Sequence, residues 1–77
     1  MDNLSYRILL HEEPEGGYTV TVPSLPGCVT YGEDINEAIE MAKEAITLYI
    51  ESLVAHGEEV PSEERVLEYT VMVPAYA

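Results

Sequence analysis

One amphipathic stripe constrains this chain more than any other feature. Between Asp34 and Gly57 the side chains of Ile35, Ala38, Ile39, Ala42, Ala45, Ile46, Tyr49 and Leu53 recur at spacings of three and four, on one face of a single α-helix. Asp34 is a strong N-cap because its carboxylate can accept a free first-turn amide, and Glu37 three residues on completes a capping box. Gly57 supplies the left-handed stop. The other face carries Glu37, Glu40, Lys43, Glu44, Thr47 and Glu51, a solvated acidic ridge in which only Glu40 with Lys43 makes a favourable pair. A helix with one apolar face needs a partner layer, and the rest of the 77 residues must supply it.

The remainder reads as short strands. Residues 4–12 alternate, with Tyr6, Ile8 and Leu10 on one side and Arg7, Leu9 and His11 on the other, until Pro14 and the pair Gly16 and Gly17 turn the chain. Tyr18, Val20 and Val22 then alternate with Thr19 and Thr21 up to Pro23. In Ser24-Leu25-Pro26-Gly27 the proline has the fixed φ and the glycine the positive φ of a type II turn, which leads into a third strand over residues 28–31. Residues 58–64 hold Pro61 and four glutamates and are expected as an exposed loop. Leu67, Tyr69, Val71 and Val73 alternate with Glu68, Thr70 and Met72 before Pro74, which predicts a fourth strand.

These elements predict an α+β fold in the order β-β-β-α-β. Three strands form a meander, and a right-handed crossover through the helix sets the fourth beside the first, giving a four-stranded mixed sheet of spatial order 3-2-1-4 with one long helix on one face. Taken over residues 35–56, the helix would be about 33 Å long, against about 23 Å for a seven-residue strand. Its end should therefore overhang and leave Ile50, Leu53 and Val54 as oligomer contacts. A chain of this length hides only roughly 60% of its unfolded surface, which also favours a homodimer or homotetramer. One domain over residues 1–77 is expected, with no C-terminal DNA-binding domain.

Charge narrows the partners. Three basic residues against fifteen acidic ones give −12, which repels phosphate backbones and favours a basic protein partner over direct nucleic-acid binding; acidity of this size also serves solubility alone. Cys28 is the only cysteine, so no intramolecular disulfide can form and a reducing, cytoplasmic location is expected. Met1-Asp2-Asn3 is unlike an export signal, and no apolar run reaches membrane-spanning length.

Chemistry is sparse. A two-metal nuclease site needs converging carboxylates, normally with an aspartate on the first strand, and residues 4–10 contain none. Glu68, Glu37, Glu40 and Glu44 are isolated carboxylates. Cys28 follows a Pro-Gly turn, where a small apolar side chain packs well; His11 and His56 lack the paired spacing of a zinc site, and His56 suits the helix C-terminal carbonyls. No glycine-rich phosphate fingerprint is present. A non-enzymatic protein without cofactor or metal is expected. The face formed by Thr19, Thr21, Thr30 and Thr70 with Arg7 and Glu68 is either solvated or a docking surface.

Tyr6-Arg7-Ile8, the run from Gly17 through Val22-Pro23-Ser24-Leu25-Pro26-Gly27-Cys28, Gly32-Glu33-Asp34 and Glu37-Ala38 together resemble the HicB antitoxin family over about residues 4–72. The resemblance implies a partial RNase H-like domain that binds and neutralises HicA, a small basic toxin of double-stranded-RNA-binding fold that cleaves messenger RNA with a histidine. Many such antitoxins continue into a DNA-binding module, which is not expected here. The expected mechanism is occlusion, with Glu12, Glu13, Glu33, Asp34 and Glu37 engaging lysines and arginines of the toxin. The alternative is a self-assembling structural or ligand-binding HicB-like protein without a toxin partner.

Overall fold

The computed structural model describes residues 4–76. The acidic start at residues 1–3, read above against an export signal, lies outside them. Three strands precede one helix: β1 (Leu9–Glu12), β2 (Tyr18–Thr21), β3 (Val29–Gly32) and α1 (Ile35–Ala55). The strands form an antiparallel sheet in the order β1-β2-β3. Leu10 stands opposite Val20, which stands opposite Thr30, while Glu12, Tyr18 and Gly32 form the next row. Opposed residues share a face, so these rows look toward the helix.

The turns follow the residues that demand them. Pro14 and Glu15 are closed by a bond from Gly16 N–H to the Glu13 carbonyl, and Gly16 and Gly17 both take positive φ. At the second turn Cys28 N–H donates to the Leu25 carbonyl with Gly27 at φ +83°, the type II geometry that Pro26-Gly27 specifies. The helix ends in a Schellman motif: Glu58 N–H donates to the Leu53 carbonyl, Gly57 N–H to that of Val54, and Gly57 is left-handed at φ +69°.

The helix seats on the sheet through its smallest residues. Val20, Ala38 and Ala42 are fully buried together, with Ile8, Leu10 and Tyr18 packed around them. A Cβ built on Gly32 would stand 2.3 Å from Ala38 N and 2.4 Å from Ala38 Cα, so only glycine lets the helix backbone approach this closely. A second cluster extends the core: Val22, Leu25 and Cys28 are buried against Tyr6, Ile8, Ala45, Ile46 and Tyr49. The overhang expected from the helix length is thus partly covered by loop 22–28, where Tyr49 also donates to the Pro26 carbonyl at 2.7 Å.

Three expectations are corrected. First, β1 begins at Leu9 and not at residue 4, because its partner β2 ends at Thr21 opposite Leu9 and Val22 turns away to bond the Cys28 carbonyl. Second, residues 67–73 make no strand in this chain, so the sheet is three-stranded and antiparallel without the parallel fourth member of the order 3-2-1-4. Third, Thr30 does not share a face with Thr19 and Thr21; the register puts it beside Val20 under the helix, and Val29 and Tyr31 take the open face.

Loop 58–64 is more than a solvated connection. Pro61 accepts from the Tyr6 hydroxyl. The Glu63 carboxylate is nearly withdrawn from water, accepts from Arg7 N–H at 2.9 Å and from the Ser24 hydroxyl, and lies 3.5 Å from Arg7 Nε. Burial pushes this carboxyl up, but the bonds from Ser24 and the Arg7 backbone, with the Arg7 charge, outweigh that and hold it below the usual glutamate range.

Two outcomes follow from this packing. Gly32→Ala should destabilise the fold by roughly 1–3 kcal/mol, the cost of forcing a methyl against packed backbone, as read by chemical denaturation; an unchanged midpoint would contradict the close seating. A carboxyl whose folded pKa is depressed stabilises above its unfolded value, about 4.3, and loses that contribution as pH falls through the lower folded value. Wild type should therefore be more stable than Glu63→Gln at pH 7, with the difference closing below about pH 4; a constant difference down to that pH would refute the charged tether.

Candidate functional site

The hairpin between β1 and β2 and the junction between β3 and α1 lie at the same end of the sheet, because Glu12, Tyr18 and Gly32 occupy one cross-strand row. Acidic residues from both connections therefore meet. Glu12 ends β1 and is exposed, Glu13 and Glu15 flank Pro14 in the turn, and Glu33, Asp34 and Glu37 open the helix.

Some of these carboxylates have structural work. Glu37 N–H donates to Asp34 Oδ1 at 2.7 Å, and Glu37 Oε1 in return accepts from Glu33 N–H, the reciprocal capping box. Glu13 Oε2 accepts from the Thr19 hydroxyl at 2.6 Å. Among the described residues, no hydrogen bond or ion pair engages the carboxylates of Glu12, Glu15 and Glu33. The positive end of the helix dipole offsets some of the charge at Asp34 and Glu37 but not that of the hairpin.

Tyr31 stands at the centre of the group. Its hydroxyl donates to the Gly16 carbonyl at 3.1 Å, and its ring fills the space above Gly17, where a Cβ would collide with the phenol oxygen. Partial desolvation, and then the carboxylates of Glu33, Glu13, Glu37 and Glu15, push its ionisation up. The tyrosine thus registers the negative potential that four carboxylates from two loops build at one place.

Sequence reasoning selected Glu12, Glu13, Glu33, Asp34 and Glu37, and the fold brings all five to this end. Glu15, in the same acidic hairpin as Glu12 and Glu13, joins them, whereas Tyr31 has no motif to mark it and acquires its place from the strand register. Two of the three basic residues are paired elsewhere, Arg7 with Glu63 and Glu68 and Lys43 with Glu40 on the helix, and the third, Arg65, follows the 58–64 loop. Of the residues singled out for contacts between copies, Ile50 and Leu53 are half-buried and Val54 is 63% exposed.

The residues with reactive side chains are otherwise occupied. Cys28 is buried with Val22 and Leu25, and burial pushes its thiol ionisation up, away from nucleophilic character. His56 caps the helix: its backbone N–H donates to the Ser52 and Leu53 carbonyls and its Nδ1 lies 2.7 Å from the Ser52 carbonyl. Among the described residues no three metal-ligating side chains come together, and no helix is long and apolar enough to cross a membrane.

Comparison with known proteins places this arrangement in a family. Residues 6–77 match the family described as HicB-like antitoxin of bacterial toxin–antitoxin system. A UPF0150 protein of Thermoplasma acidophilum is 43% identical over 60 residues, covering 78% of this chain and 87% of the relative. Antitoxin HicB 1 of Photorhabdus laumondii is 35% identical over 72 residues, 94% of this chain but only 46% of that longer protein. Among solved structures, the N-terminal domain of the Burkholderia pseudomallei antitoxin HicB superposes with a TM-score of 0.63 at 36% identity, covering 86% of this chain and 69% of that one. With residues 6–77 matched, nearly its whole length, the chain belongs to the HicB-like antitoxins of bacterial toxin–antitoxin systems.

Proposed function

We propose that this chain binds and neutralises a small basic toxin of the HicA type, an mRNA-cleaving enzyme, by covering it and not by catalysis. The observation that carries this reading is the gathering of Glu12, Glu13, Glu15, Glu33, Asp34 and Glu37 at one end of the sheet, with three of those carboxylates engaged by none of the described residues. A protein that holds RNA presents lysines and arginines where the phosphates lie. Carboxylates docked on those cations place an acidic protein where the messenger would sit, and a net charge of −12 both speeds that encounter and repels RNA from the antitoxin. On this reading the protein works in the cytoplasm without cofactor or direct nucleic-acid contact, as a homodimer or homotetramer to which Ile50, Leu53 and Val54 contribute contacts.

A second reading, a self-assembling structural or ligand-binding protein without a toxin, draws on a different observation: Leu67, Tyr69, Val71 and Val73 are 77–82% exposed. Apolar side chains in such a row call for cover whether or not a toxin exists.

The toxin reading is tested by co-purification with a small basic protein encoded beside this one, followed by calorimetric titration at two salt concentrations. Affinity should fall as salt rises, because attraction between exposed charges is screened within about 8 Å at physiological ionic strength. Glu12→Lys with Glu33→Lys should weaken binding by at least about tenfold while leaving the circular dichroism spectrum unchanged. Full affinity in that double variant would move the interface away from this end, and the absence of any basic partner would remove the toxin reading.

A further inference from the structure

The segment after Arg65 has the pattern of a strand and no ladder to join. Leu67, Tyr69, Val71 and Val73 are 77%, 82%, 77% and 77% exposed, and Met72 94%. Seven residues of period-two hydrophobicity left in water are a pairing site for another chain. Beside the segment that leads into β1 lies matching open space. Among the described residues, β1 is an edge strand that pairs with β2 alone. Between residues 4–8 and the flank of α1 runs an open groove of about 440 Å³, its wall formed largely by apolar side chains such as Ile8, Ile39 and Ile46, with Ser5, Lys43 and Thr47 also lining it. This is the flank that a fourth strand in the order 3-2-1-4 would cover, and most of its lining residues offer apolar surface that such a strand would bury.

The segment's own chain does not fill the groove. Pro61 and Glu63 pin the connection to Tyr6, Arg7 and Ser24, and Glu68 reaches back only to Arg7 Nη1 at 3.2 Å; beyond it the chain leaves the folded body.

We propose that residues 67–73 form the fourth strand in trans, on the β1 edge and in the groove of a second copy, with the two copies exchanging strands reciprocally. This deepens the homo-oligomer part of the reading above and rests on it, but it does not depend on a toxin. A reciprocal exchange closes as a two-fold dimer and leaves neither segment exposed. The short β1 has the same cause: residues 4–8 lose their β2 partner at Thr21 and gain a neighbour only when the second copy arrives. Because each copy carries −12, the dimer should tighten as salt rises, opposite to the toxin complex.

The test uses the full chain. Analytical ultracentrifugation should give twice the chain mass for wild type. Val71→Asp should weaken self-association by roughly 100-fold or more, since an apolar side chain is lost from both exchanged strands. Val71 lies outside the folded body, so the variant should keep the wild-type circular dichroism spectrum. In a mixed dimer of isotope-labelled and unlabelled wild-type chains, filtered NOEs should connect Val71 and Val73 methyls of one copy with Ile39 and Ile46 methyls of the other. A monomeric wild type would overturn the homo-oligomer reading together with the exchange. A dimer whose tail-to-groove NOEs are intramolecular, whose tails contact only each other, or which survives Val71→Asp unchanged would overturn the exchange alone.

Discussion

The contact on which the fold depends is the seating of Ala38 on Gly32. A sheet of four-residue strands offers little surface, and a helix held a side chain's width away would leave Val20 and Leu10 wet. By putting no side chain at Gly32 and only a methyl at Ala38 and Ala42, the chain draws the helix backbone onto the sheet and buries Val20 completely. The same seating aims the helix. Its first turn is held at the end of β3 next to the β1–β2 hairpin, and its later turns run out over loop 22–28, where Leu25 and Cys28 meet Ala45, Ile46 and Tyr49.

The acidic end is a consequence of that aim. Asp34 and Glu37 are needed to cap the helix, and Gly16 and Gly17 are needed to close the hairpin; neither requirement concerns a partner. Once the register sets Gly32 in the row of Tyr18 and Glu12, the two connections are neighbours, and their carboxylates share one potential that Tyr31 feels. A surface suited to a basic partner thus arises where local structural needs already concentrate acids, with Glu12, Glu15 and Glu33 adding charge that the fold itself does not use.

The opposite flank has the reverse character. Tyr6 and Arg7 of the first segment, the latter through its backbone N–H and its guanidinium, and Ser24 of the β2–β3 turn hold Pro61 and Glu63, so a loop whose glutamates suggested full solvation is ordered by one nearly buried carboxylate. That anchorage decides where the last segment starts and leaves its apolar row facing water. In the proposed exchange the acidic end remains available for a toxin while the β1 edge is taken by a second copy, and the two associations respond to salt with opposite sign.

The residues alone determined whatever rests on local stereochemistry and periodicity: the helix from its stripe and its Asp34 and Gly57 ends, the Pro26-Gly27 turn, the hairpin at Pro14, and the packed role of Cys28. They also supplied the five carboxylates of the candidate surface, because helix caps and hairpin turns are written in nearest neighbours. Register and long-range pairing were not legible in the same way. That Thr30 lies under the helix, that Tyr31 joins the acidic end, and that β1 starts only at Leu9 all follow from which residues stand opposite one another across strands. An alternating pattern marks residues 67–73 as strand-forming but does not say which edge they join, and only the tertiary structure, by pinning Glu63 beside Arg7 and leaving the groove between residues 4–8 and the helix open, shows that they do not join their own.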